Sequence, residues 1–148
     1  MILSREIGEP QTLDKMVFAA ACGHYVSSSI YATDIKVIFQ KISHMWSVWG
    51  ANTEITTPLE VRMERFLEST NVLMAQRLVH AVDGGRRALL EYLVLTPLNR
   101  SRLLEAWLKS PQAISECAQA LVENEGRSLG QHAQQLAAEG KIAEEQIP

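Results

Sequence analysis

Apolar side chains recur at helical spacing along most of the chain. Ile35, Ile38, Phe39, Ile42, Met45, Trp46 and Trp49 form one stripe, with Lys36, Gln40, Lys41, Ser43 and Ser47 opposite, which predicts a helix from about residue 35 to Gly50. Thr33 or Asp34 starts it. Leu13, Met16, Val17, Ala20, Ala21, Tyr25 and Ser28 repeat the spacing and predict an earlier helix over about 13–31. Gly23 and Ser27-Ser28-Ser29 weaken it and suggest a break near 27–33.

The longest expected element is a central helix over about 58–83. In Thr57-Pro58-Leu59-Glu60 the threonine and glutamate suit a capping box, and the proline stands where a missing N–H costs nothing. Gly84-Gly85 supplies the stop. About 26 residues at about 1.5 Å rise make a rod of roughly 39 Å, which needs partners along one side. Leu59, Met63, Phe66, Leu67, Leu73, Met74, Leu78 and Val82 mark that side; Val61, Val72 and Val79 fall off the stripe and predict a second covered face.

Residues 89–95 hold six large apolar side chains, which predicts another buried helix over 86–95. A strand competes for Tyr92-Leu93-Val94-Leu95-Thr96, but the sequence shows no second strand-like run to pair with it. Thr96-Pro97 and Ser110-Pro111 start helices over about 97–109 and 111–124. Gly126 ends the latter, and Ser128 with Gln131 caps a last helix reaching about Glu139. The expected fold is all-α: one helical bundle of five to seven helices over residues 1–139, with an arm at 1–11 and a flexible tail at 140–148. No repeat of solenoid period is present.

Composition agrees with one domain, since 148 residues with 47% hydrophobic and 21% charged side chains can build a core. A net charge of -3 argues against a generic nucleic-acid coat or a membrane-surface protein. The N-terminus lacks a basic segment followed by an apolar one, and no apolar run approaches the roughly 20 residues that span a bilayer, so a cytoplasmic location is expected. Cys22 and Cys117 lie far apart in stretches that read as buried helix faces, and are expected to be core residues.

Candidate chemistry is sparse. Arg86-Arg87 after the glycine pair would open a helix, where cations are disfavoured, so an anion or acidic partner segment is a candidate ligand there. Arg100 and Arg102 join that surface if the flanking helices form a hairpin. Glu60, Glu64 and Glu68 make a solvated face, and His24, His44, His80 and His132 show no metal-ligand spacing. No Walker, Rossmann or G-x-S-x-G spacing occurs. No catalytic residue, metal or cofactor is therefore expected, and the chain reads as a non-enzyme.

Trp46 and Trp49, one turn apart, together with Phe66, Val61, Val72 and Val79, form the expected partner interface. The function expected is a self-associating protein–protein interaction module, an adaptor, chaperone-like or regulatory subunit, acting as a homodimer or on a protein partner. The alternative is a nucleic-acid-associated regulator using the basic segment 77–109. A third possibility is a pocket for a small apolar ligand near His24 and Tyr25.

Overall fold

Strands and helices alternate at the start of the chain. The computed structural model describes residues 1–50 and 57–148, and their side chains except at residues 3–5, 49 and 50. β1 (Ile2–Glu6), α1 (Pro10–Ala21) and β2 (Val26–Ser29) are followed by α2 (Ile35–Gly50) and α3 (Leu59–Ser69). Then come β3 (Val72–His80), β4 (Arg86–Val94), α4 (Pro97–Lys109), α5 (Pro111–Glu125), α6 (Leu129–Ala138) and a 3-10 turn, Glu144–Gln146. β1 and β2 pair in parallel, with α1 as the crossover that parallel pairing requires. β3 and β4 form an antiparallel hairpin, in register from Val72 opposite Val94 to His80 opposite Arg86.

The all-α expectation is overturned by these two sheets. The 58–83 rod is in fact a helix of 11 residues and then a strand of nine. α3 stops because Ser69 turns its hydroxyl onto Phe66 O (3.2 Å) and Thr70 is already extended, at φ -95° and ψ 128°. Beyond it, Ala75 and Val79 point into the protein while Val72, Met74 and Leu78 point out. Both faces of β3 are thus apolar, which erases the period-two signal and leaves a pattern that also fits a helix.

Gly84-Gly85 turns the hairpin instead of ending a helix. Gly84 N donates to Ala81 O (3.1 Å) and Ala81 N to Gly85 O (3.0 Å), with Gly84 at φ 84°. The helix expected over 86–95 is β4, the partner that the strand reading lacked. The helix expected over 13–31 ends at Ala21, and its serine run forms β2.

Where side-chain caps were readable the helices start as expected. Thr96 Oγ1 accepts from Asn99 N (3.2 Å) and Ser110 Oγ from Ala113 N (3.0 Å). Ser128 and Gln131 form a complete capping box. Asp34 Oδ1 accepts from Val37 N at 2.8 Å and starts α2. The start of α3 differs: Pro58 itself is the cap, with no side-chain bond.

Two apolar clusters result. The larger unites α1 to α5 with the Leu93 end of the hairpin, and Phe66 stands edge-on to Phe39 and Trp46 at centroid distances of 6.3 and 6.2 Å. The smaller joins Val79 and Leu89 to Leu129, Ala133 and Leu136 of α6 and to Ile142. The last residues lie along the hairpin turn, where Val82 N donates to Lys141 O (3.1 Å). Among the described residues no helix is long and apolar enough to cross a membrane.

Candidate functional site

The parallel unit decides where chemistry can be placed, because α/β folds bind ligands beyond the carboxyl ends of their parallel strands. β1 ends at Glu6, whose register partner is Ser29 at the end of β2, and Ile7 N donates to Ser29 O at 2.7 Å. Glu6 is exposed, which puts its carboxylate on the surface at that edge. Pro10 then opens α1 with its side chain buried, which fixes how the chain leaves the edge.

Beyond β2 the chain turns through Tyr31, an exposed ring with Lys41 Nζ 5.4 Å from its centroid. It re-enters helix at Asp34, whose Oδ2 accepts from Thr33 Oγ1 (2.9 Å). The next amide, Ile35 N, donates to Glu91 Oε1 at 2.7 Å, and Glu91 Oε2 accepts from Leu129 N at 3.4 Å. Burial pushes the Glu91 carboxyl above its ordinary pKa; the two amides and Arg77 oppose that rise, and Asp34 adds to it. The corner where β2 meets α2 is therefore fastened to β4 from beneath.

A cleft of about 970 Å³ opens beside this edge. One wall is residues 26–30 of β2 and its exit, the other is residues 72–76 of β3, and Ile38, Ile42 and Phe66 lie among the apolar lining. Neither β2 nor β3 pairs with a further strand on its second side among the described residues. His24 and Tyr25 line this cleft too, but both are exposed side chains in the turn before β2.

The arginines fall into two separate places. Arg86 and Arg87 begin β4, where Arg87 pairs with Asp83 at 2.8 Å. Arg100 and Arg102 lie in α4 beyond the far end of the strand, roughly 24 Å away for seven residues at about 3.4 Å. There Arg100 donates to Thr70 O and Asn71 Oδ1, both at 3.0 Å, and Arg102 pairs with Glu125. The helices expected over 86–95 and 97–109, which would have formed a common surface, are a strand and a helix.

The expected interface residues are also dispersed. Trp46 is 1% exposed and donates Nε1 to Asp14 Oδ1 (3.0 Å), and Phe66 is buried beside it. Val61 is half-buried on α3, Val79 lies in the smaller cluster, and Val72 is exposed on the outer hairpin face; the Trp49 side chain is outside the described residues. Cys22 is exposed, contrary to the core reading, while Cys117 is half-buried with burial pushing its thiol pKa up. No group of three His, Cys, Asp or Glu suited to a metal occurs among the described residues.

Glu6 and Glu91 had escaped notice. Glu6 lies in the expected arm at 1–11, with only Ile2-Leu3 before it as a strand signal. Glu91 carried a clearer sign, a single charge inside the apolar run 88–95, which a buried residue tolerates only with partners.

No family model matches the chain, and no curated protein matches it. Solved structures do. The ATPase DotB of Legionella pneumophila superposes on 99% of this chain with a TM-score of 0.82 and 24% identity, using 37% of its own length. DotB of Yersinia pseudotuberculosis gives 0.81 and 26% identity over 97% of this chain and 34% of its own. The pilus retraction motor PilT, solved with ADP, gives 0.73 and 20% identity over 99% of this chain and 38% of its own. The chain thus spans about a third of the length of these proteins, and the likeness is one of fold. It overturns the readings as a non-enzyme and as a non-catalytic adaptor, because the shared fold belongs to two ATPases and an ADP-bound motor.

Proposed function

We propose that this chain supplies part of the nucleotide-hydrolysing unit of an ATPase of the kind represented by DotB and PilT. The observation that carries the reading is the parallel β1–α1–β2 unit, which sets an exposed carboxylate, Glu6, at the strand edge where such folds bind nucleotide. No phosphate-cradling G-x-x-x-x-G-K-[ST] occurs in the 148 residues, so the part proposed for this chain is the acidic edge and not the phosphate loop. That neither β2 nor β3 has a further strand beside it among the described residues supports the same reading. A further strand laid in the cleft between them would extend the parallel pair and shield both edges.

Within that unit Glu6 acts on the reacting end of MgATP, the place that P-loop ATPases give to an acidic side chain. The test is a chimera in which this chain replaces the matched third of Legionella DotB. We expect it to hydrolyse MgATP, and Glu6→Gln to lower kcat by about 100-fold, the loss typical of removing an acid–base group, with KM within a few-fold. A chimera that is silent, or that hydrolyses equally with and without the carboxylate, sinks the reading.

A further inference from the structure

Two helix starts converge on one carboxylate. Ile35 and Leu129 are the first residues of α2 and α6, and the caps of those helices leave their amides unused: Asp34 accepts from Val37 and Ser128 from Gln131. Glu91 takes both, through Oε1 at 2.7 Å and Oε2 at 3.4 Å. It stands on β4 between Leu89, which belongs to the smaller apolar cluster, and Leu93, which belongs to the larger. α2 packs in the larger cluster and α6 in the smaller, so the carboxylate bridges the two. The charged groups that act on it are Asp34, which repels it, and Arg77, which attracts it.

This junction needs a carboxylate. Both oxygens of an ionised Glu accept, whereas a Gln offers one acceptor and turns an NH2 toward the second amide. The positive ends of two helix dipoles reinforce the preference for negative charge there.

We propose that Glu91 is a positioning residue that ties the loop at the carboxyl end of β2 to the start of α6, so that a displacement of either helix start is passed to the other. The link rests on the proposed ATPase only in its purpose: residues 30–34 adjoin Glu6 and Ser29, and α6 becomes the element through which that edge is regulated. The tie itself is a property of this chain.

The 148-residue protein tests it directly. In an amide NMR titration the Ile35 and Leu129 signals move together with one midpoint, above the ordinary glutamate value. Separate midpoints, or a Leu129 amide that does not titrate, overturn the proposal. In Glu91→Gln, hydrogen-exchange protection falls about tenfold at both helix starts, the loss expected for bonds to a charged acceptor, while Leu103 and Ile114 keep theirs. Loss at one start only, or equal loss throughout the core, also overturns it. If that variant does not fold, the wild-type titration decides.

In an active DotB chimera Glu91→Gln lowers kcat with KM unchanged, and an unaltered kcat refutes the positioning role. A silent wild-type chimera refutes the ATPase reading instead and leaves the titration to judge the tie.

Discussion

Replacing Gly126 with alanine puts a methyl carbon 2.3 Å from the Tyr92 carbonyl oxygen and 3.2 Å from that of Val122. Close C···O contacts normally stop near 3.3 Å, so the backbone must part by about 1 Å. Both obstructing atoms are backbone, and no side chain can swing aside. The parting falls on the joint between α5 and α6, where Tyr92 N donates to Arg127 O (3.0 Å) and Arg127 N to Tyr92 O (3.1 Å). Two backbone bonds at about 1 kcal/mol each, plus about 1 kcal/mol or more of overpacking, give a loss of about 3 kcal/mol. At about 2–4 °C per kcal/mol for a domain of this size, Tm falls by about 6–12 °C. Urea unfolding followed by circular dichroism measures the loss, with an unchanged m value showing that only stability moved. Since φ at Gly126 is -111°, the cost is contact and not left-handed backbone, so Gly126→Ser suffers equally. A Gly126→Ala variant within 0.5 kcal/mol of wild type, the ordinary range for a harmless surface change, refutes the reasoning.

His132 gives a pH dependence of known sign. Burial, and then the charge of Arg127, hold its pKa below the ordinary value, while its Nδ1 accepts from Leu90 N at 2.9 Å. Near pH 6.5 and below, the unfolded chain takes up a proton that the folded one refuses, so this contribution to stability is present above that pH and is lost as pH falls through the folded pKa. Urea midpoints of wild type and His132→Ala between pH 7.5 and 5 should converge on acidification; parallel curves disprove the assignment. At the hairpin turn, Gly84→Ala forces a side chain onto φ 84° and lowers stability by about 1 kcal/mol, with Gly84→Asn costing less. Equal melting temperatures for the three proteins would show that the turn rearranges freely.

Local signals in the sequence proved reliable where one residue answers one backbone group. Thr96, Ser110, Ser128 and Asp34 each present an oxygen to the amide three residues on, a relation that survives any tertiary context. The stripe of α2 was equally readable, because Ile35, Ile38, Phe39, Ile42 and Trp46 are buried while Gln40 and Ser47 are exposed; Ser43, read on the polar side, is instead buried and donates Oγ to Phe39 O. The hairpin was not readable, for the opposite reason. Leu73 and Ala75 face the core while Val72, Met74, Tyr92 and Val94 are apolar on the outer face, so neither strand alternates. A helix stripe laid over residues 59–82 collects apolar positions from both faces and looks continuous. β2 is misread by composition: three of its four residues are serines, which disfavour helix but are weak evidence for strand.

The candidate site was invisible to motif reasoning because its geometry depends on long-range fastening. A parallel pair of short strands has little stability of its own, and the loops at its carboxyl edge would wander if only the pair held them. Here both flanking helices are pinned. α1 buries Leu13, and its Asp14 accepts Trp46 Nε1 from α2 at 3.0 Å while standing 3.8 Å from the Arg62 guanidinium of α3. Arg62 is 5% exposed, and a buried cation so placed makes Asp14 costly to remove. α2 is held at its first residue by Glu91, on the opposite side of the corner. Glu6 and Ser29 therefore project from an edge whose two exits are fixed by residues 14, 46, 62 and 91, none adjacent in sequence to either strand end. Among the described residues no strand pairs with β2 on the side away from β1, where the cleft shared with β3 opens, so on that side no contact with a further strand holds the edge.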